Sequence, residues 1–189
     1  MKIRGLLLLM ILSSGCAKHA ADEDRPPQWA KKVELVGVPN FFKISPDLYR
    51  SEQPTREGMR KLEGMGIKTV ISLRAFHSDR RLLEGTGLAY ERISFQTWSP
   101  DDEELVRFIK IVTDPRATPV LFHCLHGSDR TGAMSAAYRI VVEGWTKDAA
   151  IAEMKRGGYG HHKIWGNLER WLRSLDVEKL RVKVGANID

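Results

Sequence analysis

The 189-residue chain is 42% hydrophobic and 29% charged and carries a formal charge of +6. That describes one globular domain long enough to bury a core, with a mildly basic balance that suits an anionic substrate and does not call for nucleic acid. Its two cysteines, Cys16 and Cys124, exclude a disulfide framework within a processed chain.

At the N-terminus Lys2 and Arg4 precede an apolar run over 5–12, then Ser13-Ser14-Gly15-Cys16. A basic start and a short apolar run read as a signal peptide over 1–15; the run is shorter than the ~20 residues a spanning helix needs. The small residues before Cys16 resemble a bacterial lipoprotein cleavage site. That resemblance implies that Cys16 becomes a lipidated first residue anchoring the protein to a membrane on the periplasmic side. Ala17, rather than Asp, implies the outer membrane. Leu12 stands four residues before Cys16 where the pattern wants three, so secretion as a soluble periplasmic protein is the alternative. Residues 16–32, with Asp22-Glu23-Asp24-Arg25-Pro26-Pro27, read as a polar tether.

A domain is expected over 33–180, with a tail over 181–189. Residues 40–44 and 48–50 predict two short strands around Ser45-Pro46-Asp47. Thr55 caps a helix reaching Met65, and Gly66 ends it. Residues 67–73 predict a buried strand, 78–85 a helix and 88–95 another strand. Ser99-Pro100 opens a helix to Val112 whose first turn holds Asp101, Asp102, Glu103 and Glu104, as the helix dipole prefers. Pro119-Val120-Leu121-Phe122 is a short buried strand, and 131–142 is apolar at helical spacing. Two more helices are expected over 146–156 and 164–175, with Trp145, Trp165 and Trp171 at core-like spacing. Strands alternating with helices predict an α/β three-layer fold, a central, mostly parallel sheet flanked by helices, with its site at the carboxyl ends of the strands.

Between the last strand and the helix at 131 lie His123-Cys124-Leu125-His126-Gly127-Ser128-Asp129-Arg130-Thr131-Gly132. A strand-to-helix loop aims backbone N–H groups and the positive helix end at one spot, which suits an anion. Helix N-termini and basic neighbours lower a cysteine pKa into a range of about 3.5–7.5, so Cys124 is expected as thiolate. Arg130 can hold two phosphate oxygens with its planar fork. A thiolate beneath an arginine-clamped dianion can take a phosphoryl group onto sulfur.

His-Cys-x5-Arg-Thr resembles the signature loop of the protein tyrosine phosphatase superfamily. Leu48-Tyr49-Arg50-Ser51-Glu52-Gln53-Pro54 and 66–74 extend the resemblance to atypical dual-specificity phosphatases, over roughly 40–175. It implies a cysteine-dependent phosphatase with no cofactor. Cys124 would form a phosphocysteine, Arg130 would bind phosphate and transition state, and Leu125, His126, Gly127, Ser128, Asp129 and Arg130 would form the cradle. Thr131 would bond sulfur, and His123 would support the loop and tune Cys124. The family's general acid is an aspartate on a separate loop. Asp101 is the first candidate here and Asp102 the second; Asp114 is expected to end the helix, and Asp129 to hold the loop or orient a water.

The run over 74–81 follows a strand end and can bind a second phosphate or an acidic substrate; a solvated basic face is the favoured reading. His161-His162 read as a turn. No metal is expected, because His123, Cys124 and His126 are too tightly spaced for a tetrahedral site and Arg130 would repel a cation. The substrate is a phosphorylated protein, or a small phosphate ester such as an inositol phosphate, and the chain is expected to be a monomer. A non-catalytic phosphate-binding pseudo-phosphatase is the alternative from another class. Arsenate reduction would need further cysteines, and a rhodanese loop lacks the Arg-Thr ending.

Overall fold

The computed structural model describes residues 25–185, so the signal peptide, Cys16 and the end of the tail lie outside the described residues. The strands are β1 (Lys31–Lys32), β2 (Phe42–Ser45), β3 (Leu48–Ser51), β4 (Thr69–Ser72), β5 (Ala89–Arg92) and β6 (Val120–His123). The helices are α1 (Arg56–Gly64), α2 (Asp102–Val112), α3 (Asp129–Val141), α4 (Lys147–Arg156), α5 (Gly166–Ser174) and α6 (Val177–Val184).

The sheet order is β1-β2-β3-β6-β4-β5. β3, β6, β4 and β5 are parallel neighbours, and β1 and β2 add an antiparallel edge. This is the expected mostly parallel three-layer fold. β6 is central and buried at every position, as its unbroken apolar run requires. Val120 and Phe122 join the larger core, built with α2 to α6, while Leu121 faces a second core with Met59 and Leu62 of α1. Burying each such side chain contributes roughly 1.5–3 kcal/mol relative to leaving it exposed. The register aligns Ser51, His123 and Ser72 at one level, so Cys124 emerges between the ends of β3 and β4.

Three expectations are corrected. Residues 78–85 form turns and no helix; the buried Asp79 side chain is turned inward to His123 and Gln53, and isolated turns close, from Leu82 N and Leu83 N to Asp79 O and from Thr86 N to Leu83 O. The tether is shorter than 16–32. Arg25 donates to Gly157 O, Ala30 is buried with its N–H on Glu153, and β1 pairs with β2. The tail begins later than 181, because α6 continues to Val184 and ends on Gly185 in the left-handed region. Among the described residues no helix is long and apolar enough to cross a membrane.

Glu104, in the first turn of α2, is partly buried. Burial first, and the charge of Asp101 second, push its carboxyl up to about 7. The folded state therefore keeps a proton that the unfolded chain releases near 4.5. This contribution is present below that value and lost as pH rises through about 7. Glu104→Gln should stabilise the protein at pH 8 by about 1 kcal/mol after discounting for solvent screening, and far less at pH 5. Thermal denaturation at both pH values measures this; equal gains at both would rule out titration as the cause.

Candidate active site

The loop between β6 and α3 is oriented by what its carbonyls touch. Cys124 O faces His123 Nδ1 at 3.1 Å, and Leu125 O accepts from Gln53 N at 3.3 Å. His126 O accepts from Asn40 Nδ2 at 2.9 Å, and Gly127 O from Arg50 Nη2 at 2.5 Å. Four successive carbonyls thus point away from the loop's centre. The amide N–H groups are left for the concave side, where an anion can take them. α3 supports this, since its N-cap Ser128 makes no side-chain cap bond, whereas α1, α2, α4 and α6 are capped by Thr55, Asp101, Thr146 and Asp176.

Gly127 is required by its surroundings. It has φ +68°, and a Cβ there would lie 2.6 Å from Glu52 N and 2.7 Å from Ser51 O. Asn40 also takes a positive φ of 50°, which asparagine tolerates better than most residues. The turn lets its amide bridge His126 O and Tyr159 O.

Cys124 is buried, 3% exposed, and of the loop residues Leu125 and Arg130 line the neighbouring cavity while Cys124 itself does not. The Thr131 hydroxyl is buried without a hydrogen-bond partner, an unmatched donor in the first turn of α3. Arg130 has only a weak 3.5 Å contact, to Leu73 O, so its fork is available to a ligand. Asp129 is bound from the α4–α5 connection: His162 N and Nδ1 approach its carboxylate at 2.9 and 2.8 Å, and His161 Nδ1 lies 3.2 Å away. Burial alone would raise the Asp129 carboxyl, and these contacts outweigh it and hold the pKa low. Asp129 therefore ties the loop to the α4–α5 connection; the turn expected at His161-His162 falls just after them, closed by Trp165 N on His162 O.

The mouth is a cavity of about 400 Å³. Arg74, His77, Arg130, Phe76, Trp98 and Trp165 are among its lining, and no carboxylate is. Arg74 thus lines the site instead of belonging to a wholly solvated basic face. Phe76 is 84% exposed and Trp98 62%, which gives the mouth an aromatic rim. Gln96 and Thr97 also line it, whereas Asp101 and Asp102 do not. Asp101 caps α2 by accepting from Glu103 N at 2.8 Å, and Asp102 accepts from Trp171 Nε1 at 2.9 Å. Asp114 sits just past α2 and pairs with Arg116.

Two site residues escaped the sequence analysis. Arg50 is buried beneath the loop, stacked 3.7 Å from the centre of the Tyr159 ring, and also donates to Ser135 Oγ. Burial pulls its pKa down, against the opposing influence of Tyr159, Glu153 and Cys124. Its signal was present: Arg50 shares the buried face of β3 with Leu48. Asp79 gave none, lying in a basic run.

The family described as "DSP-PTPase phosphatase fused to NAD+ Kinase" matches residues 42–166. The dual specificity protein phosphatase TpbA of Pseudomonas aeruginosa (strain UCBPP-PA14) is 36% identical over 183 residues, 94% of this chain and 83% of that protein. The crystal structure of a cysteine-to-serine variant of P. aeruginosa TpbA in complex with pTyr superposes with a TM-score of 0.76 at 34% identity, covering 86% of this chain and 99% of that one. The core catalytic domain of the PP-IP phosphatase SIW14 from S. cerevisiae shares the fold, with a TM-score of 0.68 at 19% identity over 80% of this chain and 96% of that one. With Cys124 buried at the start of the loop and Arg130 lining the mouth, the chain belongs to the dual-specificity phosphatase family of the protein tyrosine phosphatase superfamily and is a cysteine-based phosphatase.

Proposed function

We propose that the protein removes phosphate from phosphotyrosine on proteins of the cell envelope. The observation that carries this is the loop with its carbonyls turned outward above a buried Cys124, opening into a cavity with an aromatic rim. TpbA, whose variant binds pTyr, supports the substrate class. The Cys124 thiolate attacks phosphorus, the S–P bond forms and the bond to the tyrosyl oxygen breaks. Arg130 and the amides of 125–130 hold the three non-bridging oxygens through both steps. Water then attacks the phosphocysteine, phosphate leaves, and Thr131 donates to the departing sulfur.

We assign the proton for the leaving oxygen to Asp101, the carboxyl next in sequence after the 96–98 segment at the mouth, which caps α2 in this structure and must release Glu103 N to reach substrate. Asp101→Asn should lower turnover of phenyl phosphate by about 10²-fold and spare p-nitrophenyl phosphate, whose leaving group needs no proton. Asparagine also caps helices well, so stability is preserved. Equal losses on both esters, or none on either, would instead favour a second reading. The mouth adds Arg74 and His77 to Arg130 and is lined by no carboxylate. That suits a small polyphosphate such as an inositol phosphate whose leaving group is itself a phosphate. Phosphate release from a phosphotyrosine peptide and from an inositol pyrophosphate decides between them.

The envelope assignment rests on the 1–15 segment and Cys16. Lipidation at Cys16 would anchor a monomeric domain to the outer membrane. Cys16→Ser should move the protein from the membrane fraction to the soluble periplasmic fraction; a membrane-bound variant would sink the anchor.

A further inference from the structure

Asp79 and His123 are the two titratable side chains buried most completely beside the nucleophile, each 0% exposed. The Asp79 carboxylate is held by two neighbours. Its Oδ1 accepts from Gln53 Nε2 at 2.9 Å, and its Oδ2 faces His123 Nε2 at 3.1 Å. That last approach is a close polar contact, and neither atom has a hydrogen-bond partner. On the other side of the ring, His123 Nδ1 faces Cys124 O at 3.1 Å. A carbonyl only accepts hydrogen bonds, so Nδ1 carries a proton. A bare Nε2 would then set its lone pair against a carboxylate oxygen in a buried site, which is repulsive.

We propose that Asp79 is a positioning residue that keeps a proton on both ring nitrogens of His123, placing a buried imidazolium directly behind the Cys124 peptide. This rests on the phosphocysteine reading above. Burial alone would push the Asp79 carboxyl up; the His123 ring, the Ser72 hydroxyl and the Arg74 charge outweigh burial and hold it below the usual carboxylate range. Asp79 is therefore the ionised partner. Its own N–H donates to Tyr90 Oη at 3.1 Å, fixing the turn that carries it.

The same carboxylate reaches the mouth. Gln53, which donates to Asp79, accepts from Arg74 Nη1 with its other amide atom. One buried carboxylate thus sets both the histidine behind the nucleophile and the rim arginine. The charged and titratable groups on the elements around Cys124 are His123 with Asp79 behind it, Asp129 in the loop with His161 and His162 on it, Arg130 in α3, and Arg50 from β3 with Glu153 and Tyr159 beyond. In this set Asp79 is the anion that orients a cation without standing at the sulfur itself.

The test uses the full chain in a Cys16→Ser background, where Cys124 is the sole thiol. Long-range proton–nitrogen NMR of the wild-type imidazoles between pH 6 and 8 should show protons on both nitrogens of His123. A single neutral tautomer would overturn the proposal. Asp79→Asn should raise the pH midpoint of Cys124 alkylation by iodoacetamide by about one pH unit. Turnover should fall about tenfold at pH 6 and recover as pH rises. An unchanged midpoint with a loss equal at every pH would make Asp79 purely structural. If that variant does not fold, the wild-type NMR decides alone. Turnover that depends on Cys124 beside a neutral His123 would reject this inference and keep the function; a doubly protonated His123 in a protein without turnover would do the reverse.

Discussion

Cys124→Ser is expected to lower turnover of p-nitrophenyl phosphate and of a phosphotyrosine peptide by about 10⁴-fold or more. Serine keeps the shape at the base of the loop and removes the sulfur nucleophile. Among the described residues Cys124 is the free thiol, and the neighbouring Ser128 and Thr131 hydroxyls are weak nucleophiles without an adjacent base. The outward carbonyls of 124–127 do not depend on the sulfur, so the variant should still fold and bind phosphate. Steady-state turnover beside phosphate binding by calorimetry checks both halves. Residual activity within tenfold of wild type would mean that another group is the nucleophile, and lost binding with an intact fold would mean that sulfur shapes the cradle.

The sequence exposed the loop because its signals agree. A four-residue apolar strand, a Cys-x5-Arg spacing, Gly127 and a helical apolar pattern all describe one strand–loop–helix unit. The helices were legible where an N-cap residue stands in place, as at Thr55, Thr146 and the Asp101 cluster. The prediction over 78–85 failed because Asp79, which could read as a surface residue beside Arg80 and Arg81, is drawn into the core by His123. That contact joins residues 44 apart in sequence, and no local pattern encodes it. Residues 25–32 failed for a related reason: their polar composition suggests a tether, yet Arg25 reaches the Gly157 carbonyl and the Tyr159 hydroxyl on the far side of the chain. The carboxylate-free mouth was equally hidden, since proximity in sequence placed Asp101 near the site while helix capping turned it to Glu103.

Arg130→Lys should cost about 10²–10³-fold in kcat/KM although the charge is retained. Arg130 lies in the first turn of α3, and the preceding residue is fixed by His161 and His162. Its backbone therefore cannot shift to bring a shorter, single-point donor into place. The guanidinium supplies two parallel N–H groups, and a lysine ammonium would replace that fork with one directional contact. Losing one charge-assisted hydrogen bond costs roughly 1.5–3 kcal/mol, which alone accounts for a factor of about ten to a hundred; misalignment of the phosphoryl group for in-line attack adds the rest. Because the fork grips oxygens whose geometry changes most in the trigonal-bipyramidal transition state, kcat should fall more than KM rises, and affinity for orthovanadate should fall in step with kcat/KM. A lysine variant within tenfold of wild type would show that the amides of 125–130 hold the phosphate and that Arg130 only adds charge. A loss confined to KM would place Arg130 in ground-state binding and leave transition-state stabilisation to the loop and the positive end of α3.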